Sequence, residues 1–504
     1  MNYETSCIKT IEQAADFSGQ QNIEADIVLP DYYDTIGKIL RCNLIPLTEA
    51  VTPTEEKISV AGIAKLEILY CGENKKIYHY ENEYKYTKIF QVKSYQTDKA
   101  VKINQDVFSV NCKALGPKRI EVRAVLMIRG NYISLNEQNV ISDINDSAVV
   151  ARMVSHEILN PVTVASREFC ASQVFNLADE SEKLVAILRK SSRVTFNEIK
   201  PIRNKIYVKG VCDCEIVGVT EAECDVKKLG FAVGFSEIIE ISDVEENDIC
   251  KIQENYVYCD SVIHSENTDN YELDLRVSIG LLINVFRKES ITLADDAYSL
   301  NNKLNADSCE LTLYKSLDKL SETEKFSFDI DLYEDEKIKI FDVSAENIKI
   351  TTEKRSDKII GLVTADYYVI YADSNNTTSI ACKEHTIEAE IAITHDSLIM
   401  NSATAKVLLV NDVQMREGKI KIEGEVFIEM LLINTCKANG FTEIALTDDE
   451  NFVSSGYVIY FGKSNEELWS IAKENRTSVE LIMQMNNLKD DILHEDKVLL
   501  LPKF

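Results

Sequence analysis

The feature that most constrains this chain is a self-similarity at fixed spacing. Ile39-Leu40-Arg41 returns as Ile187-Leu188-Arg189, an offset of 148 residues, and the register then holds without a gap. Lys57-Ile58-Ser59-Val60-Ala61-Gly62 meets Lys205-Ile206-Tyr207-Val208-Lys209-Gly210, and Glu67-Ile68-Leu69 meets Glu215-Ile216-Val217. A third copy lies near offset 301, where Lys358-Ile359 and Val369-Ile370-Tyr371 match Lys57-Ile58 and Ile68-Leu69-Tyr70. Unrelated amphipathic segments would not keep one offset over this distance, so the body must be one supersecondary unit built three times. Val363 replaces the glycine shared by the first two copies, so local strand geometry is expected to differ in the third.

Each copy ends in period-two strands, such as Arg119–Val125, Tyr271–Val277 and Lys419–Val426. Alternation of this kind marks strands with one wet face. With 17 Gly and 7 Pro in 504 residues, turns must rely on clusters such as Asp373-Ser374-Asn375-Asn376. Each copy opens on an acidic, helix- or turn-like stretch at Leu29-Pro30-Asp31, Leu177-Ala178-Asp179 and Leu332-Tyr333-Glu334. Apolar spacing over Ser147–Ile158 predicts an amphipathic helix near the first boundary. The expected fold is mainly β, with three tandem sandwiches or curled sheets at 1–150, 151–302 and 303–447, and a small α+β unit at 455–504.

That last unit reads as β-α-α-β. Tyr457–Phe461 is an aromatic and β-branched strand, and Val498–Leu501 is a closing strand stopped by Pro502. Leu468, Ile471 and Ala472 share one face of a first helix. Thr477-Ser478-Val479-Glu480 reads as a capping box, with Ile482 and Met485 continuing the apolar face of a second helix. Trp469, the single tryptophan, is read first as a core residue of a thin module and second as a ligand-stacking platform.

Several functions find no foothold. The chain carries 83 acidic and 55 basic residues, net −28, which opposes nucleic acid and anionic lipid. The N-terminus lacks a basic and then apolar leader, and no apolar run approaches the about 20 residues of a membrane span, so a cytosolic address is expected. Thirteen scattered cysteines fit reduced thiols, and Cys212 with Cys214 lack a second pair for metal. Gly456–Ser464 imitates a phosphate-binding loop but has five residues between its glycines, three of them Tyr or Phe in a strand, where the motif needs four. His395-Asp396-Ser397 holds triad letters only as sequence neighbours, and the acidic run Asp329–Glu336 lacks the central glycine of a calcium loop. No enzyme, metal or cofactor is expected.

The last fifty residues resemble a LysM module, a fold usually associated with N-acetylglucosamine glycans. The spaced Lys-Ile-x-Val-x-Gly…Ile-Leu-Tyr core and the Ile-Glu-Val-Arg-Ala strand resemble the SPOCS (DUF3794) repeat of spore-forming Firmicutes. Three such repeats followed by LysM resemble clostridial spore-coat morphogenetic proteins. That resemblance implies a scaffold in the mother-cell cytoplasm at the outer forespore surface, whose LysM module binds the stage IV sporulation ATPase (SpoIVA). The alternatives are a LysM protein binding peptidoglycan or chitin-type glycan, and an orphan tandem β-protein. Two departures oppose glycan: the first rim loop is Gly462–Leu468, three residues longer than usual and without the family's Asp, and the second, His494-Glu495-Asp496, lacks Pro and Gly. The partner-binding residues expected on this rim are Lys463, Ser464, Asn465, Leu493 and His494, with Trp469 beside them.

Overall fold

The structure is a computed structural model that describes residues 2–54, 56–91, 100–177, 183–220, 226–267, 270–332, 338–355, 357–372, 378–393, 398–409, 414–416, 418–448 and 456–503. The first copy comprises β1 (Tyr3–Val28), β2 (Ile36–Pro53), β3 (Lys57–Gly72), β4 (Ile77–Gln91), β5 (Ala100–Gly116) and β6 (Arg119–Ile144). They form two antiparallel three-stranded sheets, ordered β1-β6-β5 and β2-β3-β4. The second copy repeats this order with β7 (Val149–Asn176), β8 (Leu184–Ile202), β9 (Lys205–Thr220), β10 (Val226–Glu240), β11 (Ile249–Asn267) and β12 (Asn270–Ser299). The third uses β13 (Lys303–Asp331), β14 (Lys339–Arg355), β15 (Lys358–Ala372), β16 (Thr378–Ala392), β17 (Leu398–Leu409), the short β18 (Gln414–Arg416) and β19 (Lys419–Thr447).

Within each copy the two sheets face each other over one core. In the first, Ile58, Val60, Leu66 and Ile68 from β3 meet Ile120, Val122, Leu126 and Ile128 from β6. Each such side chain, fully buried, contributes about 1.5–3 kcal/mol. The central strands β3 and β9 start with clean alternation and end buried on both faces. In their second halves one face stays in the sandwich core, while the other, with Leu69 and Val217, enters contacts between copies.

Those contacts close the three copies into a ring. Strand β4 of the first copy packs on β8 of the second, and β16 of the third packs on β2 of the first. Leu69, Val217 and Ile370, the same position in β3, β9 and β15, meet at the pseudo-threefold axis. Leu40, Leu188 and Phe341 pack against them. Each of these three is the extra residue of a register shift, between Ile39 and Arg41, Ile187 and Arg189, and Ile340 and Asp342. The recurring Ile-Leu-Arg triplet is thus a bulge signature: the bulge turns one apolar residue to the axis. The strands β1/β6, β7/β12 and β13/β19 also continue past their sandwiches as paired ribbons. Residues from all three ribbons, among them Ile8, Val140, Ile158, Leu293 and Leu311, form a further shared core.

The structure corrects one expectation and bears out another. Ser147–Ile158 is not a helix: Val149–Ile158 is strand, paired with Glu289–Ser299 of β12. Its helix-like apolar spacing arises because the ribbon meets neighbours on both faces, so packing overrides periodicity. The third copy does differ where Val363 replaces glycine. A Cβ at Gly62 would lie 2.6 Å from Leu47 O, and one at Gly210 2.3 Å from Thr195 O. In the third copy the irregularity moves between Glu346 and Lys349, with Asn347 at φ 52°, and Val363 pairs Ile350 regularly. The turn cluster 373–376, the triad letters 395–397, and the openings at Ala178-Asp179 and Tyr333-Glu334 lie outside the described residues.

Candidate functional site in the C-terminal module

The tail forms β20 (Gly456–Gly462), α1 (Leu468–Asn475), α2 (Val479–Asn486) and β21 (Lys497–Lys503), with β20 antiparallel to β21. Leu468, Ile471, Ala472, Ile482, Leu493, Leu499 and Leu501 make its core. The cap of α2 is Ser478, whose hydroxyl accepts from Leu481 N, while the Thr477 hydroxyl is buried and meets no hydrogen-bond partner among the described residues. Met485 is exposed and leaves the apolar face at Ile482. Strand β21 runs through Pro502, which pairs Tyr457.

The two rim loops are fastened to each other. Asn465 N donates to Leu493 O at 2.6 Å, Leu493 N to Glu466 O at 3.0 Å, and Leu468 N to Asp491 O at 2.7 Å. Ser464 N donates to Asp496 Oδ1 at 2.8 Å and its hydroxyl to His494 O at 3.1 Å. Glu466 shapes the longer first loop by accepting from Lys463 N at 2.9 Å and from the Tyr460 hydroxyl at 2.6 Å. The bond from Tyr460 and that from Lys463 N hold the Glu466 carboxyl below its usual range, and the same carboxylate pushes Tyr460 up to about 12. Asn465 takes the left-handed conformation that the tight loop requires, φ 67°. Lys463, Ser464, Asn465 and His494 thus come together on one exposed rim, whereas the Leu493 side chain is buried and only its backbone joins them.

Trp469 lies elsewhere, half-buried between the module and the second copy. Its indole Nε1 donates to Asp296 Oδ2 at 2.7 Å, and its ring meets Tyr298 edge-on at 5.2 Å, with Arg152 over its face at 5.6 Å. Lys473, one turn on, donates to Asp296 Oδ1 at 2.6 Å, and the Tyr298 hydroxyl donates to Thr477 O at 2.7 Å. Burial alone would raise the Asp296 pKa, but the bonds from Lys473 and Trp469 outweigh it and hold it low. The tail therefore docks on the ribbon of the middle copy, although it follows the third in sequence. The i, i+4 spacing of Trp469 and Lys473 was a visible sign of a shared face, but no local pattern marks Asp296 as their partner.

A second polar cluster lies between the first two copies. Glu67, His79 and Glu81 place ligand atoms within 4.8 Å of one another. Lys190 Nζ from β8 already sits 3.0 Å from Glu67 Oε1, an ion-pair distance without hydrogen-bond alignment, and 2.9 Å from Glu81 Oε1. Lys65 Nζ is 3.2 Å from Glu81 and 2.7 Å from Asp260. A divalent cation there would face two ammonium groups, so the cluster is an ionic seam joining the copies. Burial lowers the His79 pKa and keeps its imidazole neutral. Cys212 and Cys214 share a buried face with sulfurs 3.9 Å apart. Hydrogen bonding to Cys212 and Cys259 and burial push the Cys214 thiol up.

The fold is a ring of β-sandwich repeats with a docked β-α-α-β module. Comparison with known families agrees: residues 463–502 match the LysM domain, and residues 35–115, from β2 to β5, match the family described as SipL, SPOCS domain. The chain is SipL-like in carrying a sporulation-associated SPOCS domain together with a C-terminal LysM domain, and neither domain is a catalytic one. No curated protein and no solved structure matches it. Among the described residues, no helix is long and apolar enough to cross a membrane.

Proposed function

We propose that the chain is a non-enzymatic scaffold of spore-coat assembly, whose LysM module binds the stage IV sporulation ATPase (SpoIVA) at the outer forespore surface in the mother-cell cytoplasm. Three SPOCS-like units, at 1–150, 151–302 and 303–447, hold the module at 455–504 in a fixed pose. The observation that carries this reading is the pairing of SPOCS with LysM on one chain. The rim adds support: loops tied by backbone bonds and crowned by Lys463, Ser464 and His494 suit a protein epitope better than a shallow saccharide groove. Membrane insertion and nucleic-acid binding have no support in the composition.

Glycan binding is the second reading, favoured by the LysM match itself. Calorimetric titration of the full chain with chitin oligomers and muropeptides separates the two. The scaffold reading expects no binding below millimolar concentration, and a micromolar complex would overturn it.

A further inference from the structure

Strand β20 is apolar on the side that should be wet. Tyr457, Ile459 and Phe461 are 68%, 65% and 75% exposed, and Val498 and Leu500 of β21 stand beside them on the same face. Contiguous apolar surface of this kind marks an interaction site more often than scattered exposed residues do.

The edges of this two-stranded sheet are treated differently. Asn486 of α2 covers the edge of β21: its Oδ1 accepts from Leu500 N at 2.7 Å and its Nδ2 donates to Leu500 O at 2.9 Å. Both main-chain groups of Leu500 therefore point away from β20, which makes Ile459↔Leu500 a pair without mutual hydrogen bonds. Ile459 then directs its own N–H and C=O to the opposite, outer edge, and by alternation so do Tyr457 and Phe461. Pro502, opposite Tyr457, fits the same register because its missing N–H would point outward. Among the described residues, no hydrogen bond to another element meets these outward groups of β20. Three residues thus offer an open backbone ladder and an apolar face together.

We propose that the outer edge of β20 accepts an extended segment of a protein partner as an added strand, which deepens, and rests on, the protein-binding role assigned to the module. In this mode main-chain bonds supply affinity and alternate side chains supply selectivity. Scaling the about 150–250 Å² of each aromatic by its exposure, Tyr457 and Phe461 offer on the order of 210–360 Å², and the three partly exposed aliphatic side chains add a comparable area at most. A stable face-to-face dimer needs about 800 Å² per partner, so the patch falls short for a second copy but suits one strand. Lys463 and Lys497 stand at the Gly462 end of the sheet, so the added strand carries an acidic residue there and apolar residues at alternate positions.

The test pans a random peptide library on phage against the full-length chain and measures enriched peptides by fluorescence anisotropy. Expected are peptides with alternating apolar residues that bind the chain, lose at least tenfold with Ile459→Lys, and lose as much when one alternate set of peptide amides is N-methylated but not the other. Amide exchange at Tyr457, Ile459 and Phe461 should slow in the complex. Peptides indifferent to both N-methylation sets, or no peptide enriched over the Ile459→Lys chain, overturn strand addition. Sedimentation showing a dimer that Ile459→Lys dissolves also overturns it, by giving the face to a second copy. Glycan binding by the chain would instead remove the protein-binding reading while leaving the peptide result to stand on its own.

Discussion

Replacing Asp342 by Ala removes the carboxylate that closes the ring between the second and third copies. Arg189 and Asp342 are each 6% exposed and form a two-pronged pair, Nε–Oδ2 at 2.7 Å and Nη2–Oδ1 at 3.1 Å. Burial alone would lower the Arg189 pKa, yet bonds to Asp342 and Glu215 raise it. Breaking a buried pair from one side costs about 3–5 kcal/mol, because the remaining charge stays buried. Glu215, 2.7 Å from Nη2, and Ser191, 3.1 Å from Nη1, still hold the guanidinium. The lower end applies, about 3 kcal/mol, a factor of roughly 150 in the folding equilibrium. Urea denaturation followed by circular dichroism reads the loss. A cycle with Arg189→Met, in which the double variant recovers most of the stability, assigns it to the pair. A loss below about 1 kcal/mol, or hydrogen exchange that speeds only in the third copy, would refute the closed ring.

Gly210→Val should destabilise by about 1–3 kcal/mol, since its Cβ would press on Thr195 O and Phe235; the midpoint of thermal unfolding checks this. Trp469→Phe keeps the ring and deletes the bond to Asp296, so hydrogen exchange in α1 should speed while the sandwich core keeps its protection. Docking of the tail should also weaken in acid. Asp296 has a folded pKa below its free value, so its contribution is complete above about pH 4, where the free carboxyl is ionised, and is lost as pH falls through the folded value. Asp296→Asn should flatten that dependence in exchange measurements between pH 3 and 6.

The repeat and its strands were legible because period-two alternation and a constant offset survive in the sequence. Leu468, Ile471 and Ala472 were legible for the same reason, as one helix face with a 3.6-residue period. The ring was not legible. Ile-Leu-Arg recurs at 39 and 187, but its meaning lies in a bulge that only pairing with β3 and β9 defines. At the third site Asp342 stands where the first two copies carry Arg41 and Arg189, which hides the relation and supplies the opposite charge. The Ser147–Ile158 segment misled for a related reason, since contacts on both faces of a ribbon imitate helical spacing. Trp469 carried two local readings, core or ligand platform, and the structure places it against Asp296 and Tyr298, about 170 residues earlier, beyond any window of pattern.

The central claim is that this module binds a sporulation protein. Affinity capture from sporulating cells with the full chain and with a chain ending at residue 447, read by mass spectrometry, tests it directly. The account predicts recovery of the stage IV sporulation ATPase only with the intact tail. Equal recovery with both chains would move the binding site into the three β-sandwich copies, and recovery with neither would contradict the scaffold.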